Sequence, residues 1–130
     1  TLPNVHRNAS RIVVLDEFYP FPSTVRMAAL SVHQRLLRNQ SLTDLKESYA
    51  SFRARYRNYF ARLDLLPFSN VIRHNTSAAL CAEEEGWCWW YNRRNMHSYF
   101  TDTVHLTSDG LELLKDSYKN ILSKAIEKLA

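Results

Sequence analysis

Glycine is scarce: the 130 residues contain only Gly86 and Gly110. That scarcity excludes a glycine-rich phosphate-binding loop, whose backbone needs several glycines in close succession. Long apolar runs are missing too. Ile12-Val13-Val14-Leu15 is the longest purely aliphatic stretch, far short of the roughly 20 residues of a membrane span or of a signal-peptide core. Any targeting or membrane segment is therefore expected to lie outside this stretch of polypeptide. Charge of one sign is also limited. A formal net charge of +4 is small for a nucleic-acid partner, and none is expected. With 45% hydrophobic and 23% charged residues, nothing points to disorder, so one globular domain or a part of one is expected.

Residues 1–10 read as an exposed lead-in. Arg11 to Phe18 then reads as a strand, and its continuous branched apolar run, rather than strict alternation, predicts cover on both faces as in a parallel sheet. Tyr19-Pro20-Phe21-Pro22 ends it, because proline cannot donate to a ladder. Ser23 or Thr24 can cap a helix with Val25, Ala28, Ala29, Val32 and Leu36 on one face. Strand followed by helix is the unit of an α/β fold.

The clearest periodicity follows. Ser41-Leu42-Thr43-Asp44 resembles a helix start, and Leu42, Leu45, Tyr49, Phe52, Tyr56, Tyr59 and Leu63 recur at three- and four-residue spacing. This predicts one helix of about six turns packed on a sheet. Lys46, Arg53, Arg55, Arg57 and Arg62 accompany it and read as a solvated surface. Asn70 to Arg73 is a short second strand, and Thr76 to Glu84 has room for a helical turn or two. The aromatic-rich stretch through Trp87, Trp89, Trp90 and Tyr91 reads as a covered hairpin or loop, with a carbohydrate-stacking platform as the alternative.

Cys81 and Cys88, the only cysteines, can form a local disulfide, contribute to a metal site or remain thiols. A zinc site would recruit His97 and His105, but the resulting gaps miss the usual ligand spacings, and neither metal nor organic cofactor is expected. Three glycosylation sequons, at Asn8, Asn39 and Asn75, exceed what composition predicts. Together with a pair of cysteines in a loop they favour the secretory lumen or cell exterior, where disulfides persist.

The chemistry gathers near the end, in Phe100-Thr101-Asp102-Thr103-Val104-His105-Leu106-Thr107-Ser108-Asp109-Gly110. Asp102 and His105 lie three residues apart in a turn, within reach of one hydrogen bond. A carboxylate that fixes an imidazole tautomer is the Asp-His half of a hydrolytic triad. The competing reading is that both residues only cap the next helix. That helix is expected over 108–129, starting at Thr107 or Ser108, with Leu111, Leu114, Tyr118, Ile121, Leu122, Ala125 and Leu129 as its apolar stripe.

The extended pattern D-x-x-H-L-T-x-x-G before a terminal helix, preceded by a cysteine pair, resembles the last block of the SGNH (GDSL-like) hydrolases and acyltransferases. The likeness is greatest to the extracytoplasmic SGNH domain fused to multi-spanning membrane acyltransferases. The resemblance implies a three-layer α/β/α fold with a parallel sheet, of which residues 1–130 are the C-terminal portion, including the 81–110 cysteine-pair and D-x-x-H block. It implies that His105 is a general base oriented by Asp102, acting on acyl esters of a carbohydrate or lipid. The family's serine and oxyanion donors have no counterpart, since neither G-D-S nor G-x-N-D occurs. The partners so implied are the N-terminal half of the same domain and a membrane acyltransferase domain. Ser98 and Ser108, the nearest serines, lie in no nucleophile motif. A non-catalytic extracellular binding module is the alternative, and a small zinc-stabilised domain a further one.

Overall fold

The fold was obtained as a computed structural model, which describes residues 11–22, 28–82 and 84–129. Its elements are β1 (Val13–Asp16), α1 (Ala28–Leu37), β2 (Lys46–Ser48), α2 (Tyr49–Arg55), α3 (Arg57–Asp64), β3 (Val71–His74), α4 (Ser77–Leu80), β4 (Cys81–Ala82), β5 (Trp87–Trp89) and α5 (Ser108–Leu129). Helices and strands mix around a small parallel sheet, an α/β arrangement.

β1 and β3 pair in parallel, Val13 opposite Val71 through Asp16 opposite His74. Side chains alternate across a strand, so the two faces of this pair can be told apart by their partners. Asp16 and His74 reach α5, through Tyr118 and Ser117. Arg73, one residue before His74, instead pairs with Asp64 of α3 and with Glu17. The terminal helix thus lies on one face of the pair, and an ion pair of Arg73 ties the other face to the end of α3. The first strand is expected under cover on both faces, yet Val13, Val14 and Leu15 are only half-buried, as are Val71 and Ile72 beside them. Two paired strands are too narrow to shield one another's edges.

The second sheet is antiparallel, ordered β2-β5-β4, and the Cys81–Cys88 disulfide ties β4 to β5 across opposed residues. Most of the core gathers here rather than under the parallel pair. Ala28 and Val32 of α1, Leu42, Leu45, Leu80, both cysteines, Trp90, Tyr91 and Phe100 form one buried cluster.

The helix expected across residues 41–63 is the main local departure. Leu42 and Leu45 are buried as their spacing predicts, but they sit in a turn closed by the Leu45 amide donating to the Leu42 carbonyl. Lys46 to Ser48 is then drawn out as a strand against Trp87–Trp89. Ser48 caps α2, its hydroxyl accepting from the Ser51 amide at 3.0 Å, which is the usual role of serine at a helix start. A break at Tyr56 separates α2 from α3. The apolar period survives because it records burial, while hydrogen bonding to β5 decides the backbone.

The remaining elements agree more closely. α1 is described from Ala28, and the cap expected at Ser23 or Thr24, with Val25, lies outside the described residues, as do the lead-in and Asn8. Thr107 caps α5: its hydroxyl accepts from the Gly110 amide at 3.2 Å and its carbonyl from the Leu111 amide. Leu114, Ile121 and Ala125 are buried, whereas Leu111, Leu122, Ile126 and Leu129 remain more than half exposed.

Candidate active site

The Asp102–His105 segment is the tip of a miniature hairpin. Phe100 and Leu106 form an antiparallel bridge at its base, and the Thr101 amide donates to the His105 carbonyl at 2.8 Å. Phe100 is fully buried, against Trp90 and Tyr19. On the other side, the Thr107 amide donates to the Tyr99 carbonyl and the Thr107 hydroxyl to the Ser98 carbonyl. The tip therefore stands on the first turn of α5 and a buried aromatic ring.

Within the tip one carboxylate organises three donors. Asp102 Oδ1 accepts from the Val104 amide at 2.9 Å and from the His105 amide at 2.8 Å, and Oδ2 lies 2.7 Å from His105 Nδ1. The backbone amide of His105 first, then that of Val104 and the imidazole, hold the Asp102 pKa down to about 2. Asp102 is thus ionised at neutral pH and can only accept. Nδ1 therefore carries a ring proton, and in the neutral imidazole Nε2 is then the bare lone pair. No described residue hydrogen-bonds Nε2, and the His105 side chain is 76% exposed. Such an imidazole can take a proton from a nucleophile and return it to a leaving group.

The tip also lies where open α/β sheets place their chemistry, beyond the carboxyl end of a parallel strand. Tyr19, three residues past the end of β1, donates from its phenol to the Val104 carbonyl at 3.2 Å. Neither nearby serine meets His105. The Ser98 hydroxyl is buried and donates to the Phe100 carbonyl, and Ser108 begins α5. His97 Nδ1 lies 3.2 Å from Asp109 Oδ1. The cysteines are joined in their disulfide, so the four-ligand zinc arrangement is not formed.

The structure adds an Asp-His pair that sequence reasoning missed. His74 Nδ1 lies 2.8 Å from Asp16 Oδ1 and His74 Nε2 lies 2.5 Å from the Ser117 hydroxyl. Tyr118 donates to the other Asp16 oxygen at 2.8 Å. Burial first, and then Asp16, push the Tyr118 phenol up to about 12, which keeps it a donor. Order and distances resemble a serine triad, but accessibility decides otherwise: His74 is 3% exposed. An acyl group cannot reach a ring closed over by a helix and a sheet. This group fastens α5 to β1 and β3. Its members are 58 and 43 residues apart, so only the parallel register of the strands could have revealed it.

A family model described as the SGNH domain fused to AT3 domains matches residues 3–120. The chain belongs to this SGNH family. No curated protein matches it, and no solved structure does. SGNH membership associates the chain with hydrolase and acyltransferase chemistry, and the fusion named in the family's description points to a membrane acyltransferase domain as its companion. Among the described residues no helix is long and apolar enough to cross a membrane.

Proposed function

We propose that this chain supplies the Asp-His half of a Ser-His-Asp triad in an SGNH domain that moves acyl groups to or from a carbohydrate or lipid, by O-acyl transfer or ester hydrolysis. His105 Nε2 takes the proton from a serine hydroxyl as it attacks the acyl carbon, and returns it to the leaving oxygen. Asp102 holds the tautomer and balances the imidazolium. The observation that carries this reading is the 2.7 Å bond from Nδ1 to Asp102 on a ring whose other nitrogen stands open.

The serine and the oxyanion donors come from another part of the same SGNH domain. An uncovered surface supports this. Along α5, at about 100° per residue, Leu111, Leu122, Ile126 and Leu129 fall within roughly 60° of one another. Ser117 faces His74 of β3 and Tyr118 faces Asp16 of β1. Continuing in that rotational sense brings the exposed leucines and isoleucine past β1, over the edge that no described residue pairs. A further strand beside β1 would satisfy that edge and lie beneath the stripe. The N-terminal half of the domain is the natural occupant.

We place the chain on the extracytoplasmic side of a membrane acyltransferase, with glycans at Asn8, Asn39 and Asn75. The disulfide supports an oxidising compartment, and Asn39 and Asn75 are both exposed. Mutation in the full-length protein tests the catalytic reading. His105→Ala should abolish acyl transfer or ester hydrolysis, and Asp102→Asn should lower the rate by about 10³- to 10⁴-fold through the wrong tautomer. Retained activity in the His105 variant refutes it. Esterase activity in the isolated segment would reveal a nucleophile within the chain.

A further inference from the structure

We infer that the open end of the aromatic face on the disulfide-tied sheet is a binding site for a pyranose unit of a saccharide. β5 presents Trp87 and Trp89 on one face, and the cross-strand partner of Trp89 is Lys46. The Lys46 ammonium lies 4.0 Å from the Trp87 ring centre and 4.9 Å from that of Trp89, and the Arg93 guanidinium lies 4.4 Å from Trp89. Cations and rings therefore alternate in the order Arg93, Trp89, Lys46, Trp87. Each internal member is engaged with two neighbours. Trp87 ends the series and keeps 37% of its surface exposed.

Beside it is an open cavity of about 440 Å³ lined by Lys46, Glu47, Ser48, Ser51, Arg55, Trp87 and Trp90. None of these residues belongs to the Asp102–His105 hairpin, so the inference stands apart from the catalytic proposal. The lining has the two kinds of surface a sugar requires. An indole plane accepts the polarised C–H face of a pyranose by the same attraction with which it accepts the Lys46 cation. Hydroxyls of Ser48 and Ser51, the Lys46 donors and the planar Glu47–Arg55 pair, bonded at 3.1 Å, can serve ring hydroxyls as donors and acceptors. Glu47 is 14% exposed and already oriented by Arg55. The disulfide, with Cys88 between the two tryptophans, holds the platform rigid before any ligand arrives.

Charge separates a sugar from a polyanion. Glu47 offsets Arg55, which leaves Lys46 as the surplus cation in the cavity, and Glu84 and Glu85 are exposed in the turn next to Trp87. The surroundings are too nearly balanced to attract a polyanion, whereas stacking and hydroxyl recognition need no net charge.

The experiment is a titration of the full-length protein with a neutral gluco-oligosaccharide, a uronate oligosaccharide and inorganic polyphosphate, following tryptophan fluorescence and indole N–H shifts. At least one saccharide should bind, with shifts centred on Trp87 and little dependence on salt. Trp87→Ala should abolish the response and Lys46→Met should weaken it about tenfold. Trp87→Phe, which keeps a ring, should retain part of the affinity and controls for folding. Failure of every saccharide to bind, binding unaffected by Trp87→Ala in a folded protein, or binding only to polyphosphate with a steep salt dependence would each overturn the assignment. Because the titration reads binding without chemistry, its outcome is independent of whether His105 is catalytic.

Discussion

Gly110 joins the terminal helix to the Asp102–His105 hairpin, and adding one methyl there tests the connection. A Cβ at this position would lie 2.4 Å from the Tyr99 carbonyl oxygen and 2.9 Å from Leu106 Cδ2. Contact with carbon normally begins a full ångström farther out. Leu106 can rotate, but the carbonyl is fixed by the amide of Thr107, which donates to it. Two opposed effects enter. In a helix, alanine is favoured over glycine by about 1 kcal/mol. Overpacking a tight contact costs about 1–3 kcal/mol, and the upper end applies where backbone must move. Gly110→Ala should therefore destabilise by about 2 kcal/mol, lowering the melting temperature by roughly 4–10 °C. The strain falls on the Thr107 amide and hydroxyl bonds that seat the hairpin. Thermal melts give the stability, and NMR of the His105 ring gives the site, where the Nδ1 proton shared with Asp102 should broaden or shift. A variant as stable as the native chain, or more so, would show that propensity outweighs the contact and that the reasoning is wrong.

Other outcomes follow from the same structure. Thiol labelling without reductant should find no free cysteine, and replacing Cys81 and Cys88 by serine should cost about 2–3 kcal/mol, given their separation of seven residues. Phe52→Ala should cost about 3–5 kcal/mol in chemical denaturation, because the ring is fully buried among Tyr49, Tyr56 and Phe60. Ser117→Ala should lower stability by about 1–3 kcal/mol, leaving His74 short of a partner, while acyl transfer by the full-length protein stays near its native rate; a collapse in rate would move the catalytic centre to His74. The hairpin itself should titrate. The Asp102 pKa is depressed to about 2, so its contribution is complete above the ordinary carboxylate value of about 4 and is lost as pH falls through about 2. Protection of the Val104 and His105 amides, measured against their intrinsic exchange rates, should fall only in that acid window, and protection unchanged below pH 2 would contradict the assignment.

Much of the site could be read without coordinates because its parts are local. Asp102 and His105 lie three residues apart, Thr107 caps the helix that follows, and the cysteines flank one short hairpin. In each case a few intervening residues restrict the geometry, so residue type and spacing nearly determine the contact. The terminal helix was legible for a related reason: twenty-two residues of consistent apolar period outweigh any single competing interaction. The long helix expected from Leu42 to Leu63 shows where this stops. Periodicity identified Leu45 and Phe52 as core, but the competing partner for Lys46–Ser48 is a strand some forty residues away. Only tertiary structure decided that contest, since a backbone hydrogen bond to β5 is satisfied as fully as one within a helix. The same holds for His74, whose burial between Asp16 and Ser117 depends on the parallel register of β1 and β3, and for the uncovered stripe on α5, which exists because two strands are narrower than the helix face laid across them. The sequence alone thus determined the local chemistry and the residues that seek burial; long-range pairing, where entropy of closure and alternative hydrogen bonds compete, decided which imidazole is sealed and which stands open.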